Sequence, residues 1–175
     1  MTTEPRWDTL YRLAADQGGL FTTSDADAHG ISPQLLHHHL KASRIERVRR
    51  KIYRVVHLPP DVDEQLVELW LWSDRAGVFS HDTALALHGL SDVLPVAIHL
   101  TLPSAWRARR LRKPEPLVLH HGDVEEHDWV GHVPVTPPGQ TVRDCIADGL
   151  EPDLVEQAID EGLRRGLFTR AQVAR

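Results

Sequence analysis

The residues best suited to chemistry lie in a short polar and basic stretch between Ser32 and His57. Four of them recur at i, i+3, i+4 and i+7, the spacing of one helix face: Gln34, His37, His38 and Lys41. Their amide, imidazole and ammonium groups can contact base edges and phosphates. The spacing therefore predicts a helix whose outer face touches nucleic acid.

Positive charge is concentrated in the same stretch. Against a single acid, Glu46, it has seven basic residues, so its charge is 7 − 1 = +6, whereas the whole chain carries −5. The seven are Lys41, Arg44, Arg47, Arg49, Arg50, Lys51 and Arg54. A charge run alone is often only solvated surface, but this asymmetry is typical of nucleic-acid-binding modules. We expect Ser32, the four helix-face residues and the basic side chains to bind double-stranded DNA.

The local sequence also predicts the helices that position these side chains. Thr23 is a candidate N-cap for a short helix, and Ser32 for the helix that follows. Pro33 then occupies the first helical position, where a missing N–H is tolerated. Leu36 and Leu40, one turn apart, form the stripe that should be buried.

A first helix and a hairpin complete this predicted domain. Apolar spacing predicts a helix over 5–17, and two β-prone runs centred on 45–48 and 52–55 flank a basic turn at 49–51. Helices followed by a basic hairpin in this order predict a winged helix-turn-helix domain at residues 1–58.

The prolines at 59 and 60 mark the predicted domain boundary, because proline fits neither a helix interior nor a central strand. Residues 61–175 are predicted to form a second domain. Its strands are expected at 78–80, 97–103, 117–121 and 133–136, and its helices at 61–77, at 81–90 and in the C-terminal part. The predicted fold class is α+β: a winged helix followed by a small α+β domain with a short sheet and a helical C-terminus.

A second basic run lies in this predicted domain and leaves several interpretations open. Its members are Arg107, Arg109, Arg110, Arg112 and Lys113. The run could be a solvated loop, could contact DNA phosphates, or could pair with an acidic partner protein.

Neither catalysis nor a metal site is expected from the motifs. The chain has one cysteine, and its later histidines lack His-Glu-x-x-His spacing: His81, His88, His99, His120, His121, His127 and His132. None of its lysines follows an acid by two residues, as metal-dependent nucleases often require. We therefore expect no catalytic residue, no metal and no cofactor.

The composition and the N-terminal residues indicate the cellular compartment. It has no apolar run near the ~18 residues that a membrane span needs, and its polar start does not look like a signal peptide. A single cysteine fits a reducing compartment. The expectation is a cytoplasmic protein with no membrane partner.

Several motifs occur in an order found in one family. Gly-Leu-Phe-Thr-Thr at 19–23, Gly-Ile-Ser at 30–32 and Ile-Glu-Arg-Val at 45–48 come first, and Ala-Leu-Ala-Leu-His-Gly-Leu at 84–90 and Ile-His-Leu-Thr-Leu-Pro at 98–103 follow. This order resembles the AbiEi family, the antitoxins of type IV abortive-infection toxin–antitoxin systems.

The resemblance implies a bacterial two-domain antitoxin. Its winged helix would bind inverted repeats upstream of its own operon and repress it, and its second domain would counter a nucleotidyltransferase-like toxin without requiring a stable complex. By position, the DNA contacts would be Ser32, Gln34, His37, His38 and Lys41 on the helix and Arg49, Arg50 and Lys51 on the wing. The alternative is a stand-alone winged-helix regulator with a partner- or ligand-sensing second domain. A nuclease with a degenerate motif is the least favoured hypothesis.

Overall fold

The computed structural model describes residues 4–174, and the chain forms two compact units that divide after Arg75. The helices and strands of the first unit are α1 (Glu4–Ala15), β1 (Leu20–Thr22), α2 (Thr23–Ala28), α3 (Pro33–Lys41), β2 (Ile45–Arg49), β3 (Ile52–Val55) and α4 (Glu64–Trp72). Its strands pair antiparallel in the order β1-β3-β2. The predicted winged helix-turn-helix is confirmed.

The core of the first unit is formed by the apolar positions that the sequence pattern selected. Leu10 of α1, Phe21 of β1 and Leu36 of α3 are buried together, with Ile45 and Val55 from the hairpin. Because each helix contributes one apolar face to this core, its polar face is left to solvent.

A capping box starts α2, one residue earlier than the sequence predicted. The hydroxyl of Thr22, not that of Thr23, accepts from the N–H of Asp25 at 3.1 Å. The Asp25 carboxylate in turn accepts from the N–H of Thr22 at 2.7 Å. This reciprocal pair fixes the first helix of the helix-turn-helix.

Helix α4 packs with the first unit, against β1 and β3. The predicted boundary at 58–61 therefore lies inside this unit, which continues to Arg75. Two ion pairs attach the helix to the hairpin, Arg49 Nε to Glu68 at 2.5 Å and Arg54 Nη1 to Glu64 at 3.5 Å. The prolines at 59 and 60 interrupt regular secondary structure, but the residues before and after them pack in the same unit.

The second unit combines a mixed sheet with helices. Its elements are β4 (Val78–Phe79), α5 (His81–His88), β5 (Ile98–Leu102), β6 (Leu117–His121), β7 (Asp128–Val130), β8 (Val133–Val135), α6 (Pro138–Asp148), α7 (Pro152–Arg164) and α8 (Arg170–Val173). The strand order is β6-β5-β4-β8-β7, and β5 and β6 run parallel. Leu85, Val142, Cys145, Ala158 and Phe168 form the core between the helices. The α+β fold class predicted for the second domain is confirmed, and β7 is a strand that the sequence did not predict.

Among residues 4–174, no helix has both the length and the apolar character needed to cross a bilayer.

Candidate nucleic-acid interface

The helix α3 presents a polar face to solvent. Ser32 caps it, because the Ser32 hydroxyl accepts from the N–H of Leu35 at 3.2 Å, and Pro33 follows at the first helical position. Leu36 on the opposite face is only 5% exposed. The exposed side chains are the predicted contacts Gln34, His37, His38 and Lys41. The local sequence thus predicted both the start of this helix and its outward face.

The third histidine of the run belongs to the core instead. His39 is 3% exposed and its ring stacks on Trp7, with centroids 4.2 Å apart. Burial, with the charges of Arg44 and His38, lowers the pKa of His39. Within residues 4–174, no hydrogen-bond partner reaches either ring nitrogen of His39. The signal was present in the sequence, because His39 lies three residues after the buried Leu36.

The hairpin and the residue just before it present four exposed cations to solvent. Its turn is Arg50-Lys51, where Lys51 adopts a positive φ of 67°. The carbonyl of Lys51 accepts from the N–H of Thr23 at 2.9 Å, which ties the tip of the wing to the start of α2. The exposed basic residues of the segment are Arg44, Arg47, Arg50 and Lys51.

Two predicted DNA contacts are engaged within the protein. Arg49 is half-buried and pairs with Glu68, and Arg54 pairs with Glu46 and Glu64. Counting Glu64 and Glu68 with the segment reduces its charge from +6 to 7 − 3 = +4. The cations left for an external anion are therefore Lys41 and the four exposed basic residues of the hairpin segment. The sequence alone did not reveal this pairing, because the two acids lie on α4.

A partly buried ion pair holds the helix-turn-helix in place. Arg75 Nη2 donates to the Asp25 carboxylate at 2.8 Å and to the side-chain oxygen of Gln17 at 2.7 Å. Burial alone would raise the pKa of Asp25, but hydrogen bonds from Thr22 and Arg75 hold it below its usual value. Asp25 therefore stays ionised while it caps α2.

The second basic run lies on the second unit, after a short 3-10 turn at Ser104–Trp106. Arg109 stacks over the Trp106 ring at 3.9 Å, and Arg107 Nη2 lies 3.5 Å from the carbonyl oxygen of His121. All five side chains of the run are exposed: Arg107, Arg109, Arg110, Arg112 and Lys113. Exposure is compatible with each of the three interpretations of this run.

The second unit also brings together three histidines that were not predicted to be neighbours. His81, His99 and His120 come from α5, β5 and β6, and one ring nitrogen from each lies within 4.8 Å of the other two. We call them the histidine cluster. Nδ1 of His99 is 3.0 Å from Nε2 of His120, and the rings of His81 and His120 stack with centroids 3.6 Å apart.

Burial shifts the titration of this cluster. It lowers the pKa of His81 to about 4, and the positive potential of His120 acts in the same direction. Burial likewise lowers the pKa of His120, assisted by His99. The cluster has no local signal in the sequence, because its members come from the start of α5 and from two strands that only the fold brings together.

The first unit is similar to a known family of regulators. Residues 8–56 match the family model for the transcriptional regulator, AbiEi antitoxin. The resemblance seen in the sequence is confirmed over this segment, which contains α2, α3 and the whole hairpin. We call residues 8–56 the AbiEi-type domain.

The comparison of structures supports the fold of the chain. The crystal structure of the RV2827C protein from Mycobacterium tuberculosis resembles it with a TM-score of 0.56. The two are 15% identical, and the match covers 98% of this chain and 71% of that one. At this identity the likeness shows the α+β fold alone. No curated protein sequence matches the chain.

Proposed function

We propose that the chain is a DNA-binding antitoxin that represses its own operon, a type IV toxin–antitoxin operon. The observation that carries the proposal is the exposed polar face of α3 beside exposed basic residues in an AbiEi-type domain. Residues 1–58 would read the DNA, with α4 as their support. Residues 61–175 would supply the function directed against a nucleotidyltransferase-like toxin.

The polar face of α3 suits insertion into the major groove. A helix of nine residues that is anchored by Leu36 and capped by Ser32 is held rigidly. Gln34 can form paired hydrogen bonds with adenine, and the imidazoles of His37 and His38 can contact base edges. Ser32 still has its hydroxyl proton to donate to a phosphate while its oxygen caps the helix.

The exposed cations suit the DNA backbone. Lys41, Arg44 and Arg47 follow α3 in sequence, and Arg50 and Lys51 form the tip of the wing. Phosphate contacts set position and most of the affinity, whereas base contacts set specificity. Arg49 and Arg54 support the hairpin through their ion pairs and should contribute less than the exposed cations to phosphate binding.

A salt titration tests the DNA proposal. The full chain is mixed with the duplex from upstream of its own gene in a gel-shift assay at several salt concentrations. Five phosphate contacts per chain predict a slope of log affinity against log salt of about −4 to −5. No binding at low salt, or affinity independent of salt, contradicts the proposal.

Expression of the adjacent gene tests the antitoxin part separately. Growth arrest by that gene alone, relieved by co-expression of this chain, supports the antitoxin. Harmless expression of the neighbour, with DNA binding intact, favours the stand-alone regulator with a sensing domain. Because binding acts without chemistry in both cases, we propose that the chain is not an enzyme; metal-dependent cleavage of the bound duplex would contradict this.

A further inference from the structure

The histidine cluster has the chemistry of a metal site, which nothing in the AbiEi-type domain requires. We propose that His81, His99 and His120 bind one divalent transition-metal ion, Zn²⁺ first among them, with a fourth position open to water. Neutral imidazole is a preferred ligand of Zn²⁺, Cu²⁺ and Ni²⁺, and three protein ligands with an open position form a common zinc arrangement. The site lies wholly within the second unit.

The distances are close to those a metal imposes. Tetrahedral zinc with Zn–N bonds of about 2.0–2.1 Å separates its ligand nitrogens by roughly 3.3 Å. Nδ1 of His99 and Nε2 of His120 are already 3.0 Å apart, so they need to separate only slightly. His81 now lies flat on the His120 ring, and its ring must turn out of this stack to aim a nitrogen at the same point.

Ser80 and Thr101 support one of the three proposed ligands, His81. Nδ1 of His81 is 2.8 Å from the hydroxyl oxygen of Ser80, which in turn accepts from the Thr101 hydroxyl at 2.7 Å. In the present ring orientation the tautomer with a proton on Nδ1 donates to Ser80 and leaves the lone pair on Nε2 for a metal. The Ser80 hydroxyl has to follow the ring when it turns out of the stack, and a hydrogen bond from the non-ligating nitrogen then fixes the tautomer.

The backbone supports the same arrangement. His81 begins α5 with a φ of 52°, a left-handed conformation that is uncommon for a residue other than glycine. The N–H of His99 donates to the Thr83 hydroxyl at 2.9 Å, and the N–H of Ser80 donates to the carbonyl of His99 at 3.2 Å. Strained conformations persist where surrounding contacts hold them, and they concentrate at functional sites.

The charges near the cluster also favour a cation. Asp148 acts electrostatically on His81 and His120, and Asp82 on His120. Burial keeps the rings of His81 and His120 neutral, the form that binds metals. A bound ion would join α5 to β5 and β6, and by mass action it would stabilise the folded second unit.

Direct titration tests this site. The full chain, made without a polyhistidine tag and stripped with a chelator, is titrated with Zn²⁺ by calorimetry and with Co²⁺ by visible absorption. We expect one ion per chain, cobalt bands of a four-coordinate site, and an unfolding midpoint several degrees higher with excess Zn²⁺. Absence of stoichiometric binding overturns the proposal.

Matched variants locate the site. His99→Gln and His120→Gln should weaken binding by more than about 100-fold, beyond the usual loss for groups behind the ligands. His121→Gln, whose side chain alternates to the other face of β6, and the exposed His127→Gln should bind as the parent does. Equal binding in His120→Gln, or loss in His121→Gln, contradicts the assignment. Because these substitutions leave the first unit unchanged, DNA binding should survive in His120→Gln.

A measurement on the unaltered chain covers the case in which a variant fails to fold. Ring-nitrogen NMR of ¹⁵N-histidine-labelled protein should show large shifts on Zn²⁺ addition for only three of the twelve histidines. Shifts confined to other histidines, such as His37 and His38, would overturn the proposal.

Discussion

Helix α3 and the histidine cluster use similar residues but form in different ways. On α3, exposed imidazoles lie one after another in sequence, and the helical period alone places them on a face. The histidine cluster forms only when a helix start and two parallel strands meet. The side chains on α3 are free to contact a large anionic surface. In the histidine cluster, ring nitrogens converge in a partly buried site.

Histidine suits different partners according to its exposure and its spacing. Exposed, well-separated donors suit an extended partner such as duplex DNA. Buried, converging nitrogens suit a single small cation. His39 illustrates a third outcome, because it is buried against Trp7 and serves as part of the core.

The largest expected effect comes from removing the tip of the wing. Arg50→Ala combined with Lys51→Ala should weaken binding to the upstream duplex by about 10- to 100-fold at physiological salt and make the salt slope shallower by about 2. Both side chains are exposed and free to meet phosphates.

The matched control for the wing variant uses the second unit. Arg112→Ala with Lys113→Ala removes the same charge from the second basic run, and gel shifts over a salt series compare the two. Equal losses of affinity in the two variants would show that the second basic run also contacts DNA, and would contradict the assignment of DNA binding to the first unit alone.

The second-largest expected effect on affinity comes from removing a base contact of α3. Gln34→Ala should weaken binding to the upstream duplex by about tenfold, within the range of one paired base contact. Binding to a scrambled duplex should hardly change, because phosphate contacts carry no sequence information. Competition assays with the two duplexes measure the ratio, and an equal loss on both would assign Gln34 to the backbone.

A smaller effect, of opposite sign, should follow release of Arg49. Glu68→Gln removes the carboxylate that pairs with Arg49, so that Arg49 becomes available to DNA. We expect affinity to rise about threefold and the salt slope to steepen by up to ~0.9. Glu161→Gln, which breaks the exposed Arg164 pair in the second unit, is the control and should change nothing. Weaker DNA binding by Glu68→Gln would show that the pair holds the hairpin in shape.

The smallest effect concerns the pH dependence of stability. Because the pKa of folded His39 is lowered, the unfolded chain binds more protons below about pH 6.5, and stability falls as the pH drops through that region. His39→Phe keeps a ring against Trp7 and removes this loss. Urea unfolding at about pH 7.5 and 5.5 compares the two chains. The variant should lose less stability at the lower pH, and identical losses would contradict the assignment.

The sequence predicted the parts of the fold that depend on local patterns. The Ser32-Pro33 helix start, the buried Leu36 and the basic hairpin all follow from neighbours in the chain. The α2 cap is Thr22 and not the predicted Thr23. The two threonines are adjacent, and only Thr22 lies three residues before Asp25, the partner in the capping box.

The features that the sequence did not predict depend on contacts between distant residues. Glu64 and Glu68 lie one turn apart on α4 and meet the hairpin arginines, which moves the unit boundary and reduces the exposed charge. The histidine cluster depends on the strand register that sets His99 diagonally beside His120. Neither arrangement produces a periodic pattern or a short motif.

The proposed function depends most on contact between α3 and DNA. A His38→Cys chain carrying a thiol-linked photo-crosslinker tests it directly on the upstream duplex. Cys145 should not react, since it is buried and burial raises the pKa of its thiol. The matched control is His127→Cys, an exposed position of the second unit. We predict cross-links from position 38 to bases within one segment of the duplex and none from position 127. Absence of cross-links from position 38 to the bound duplex would contradict the proposed function.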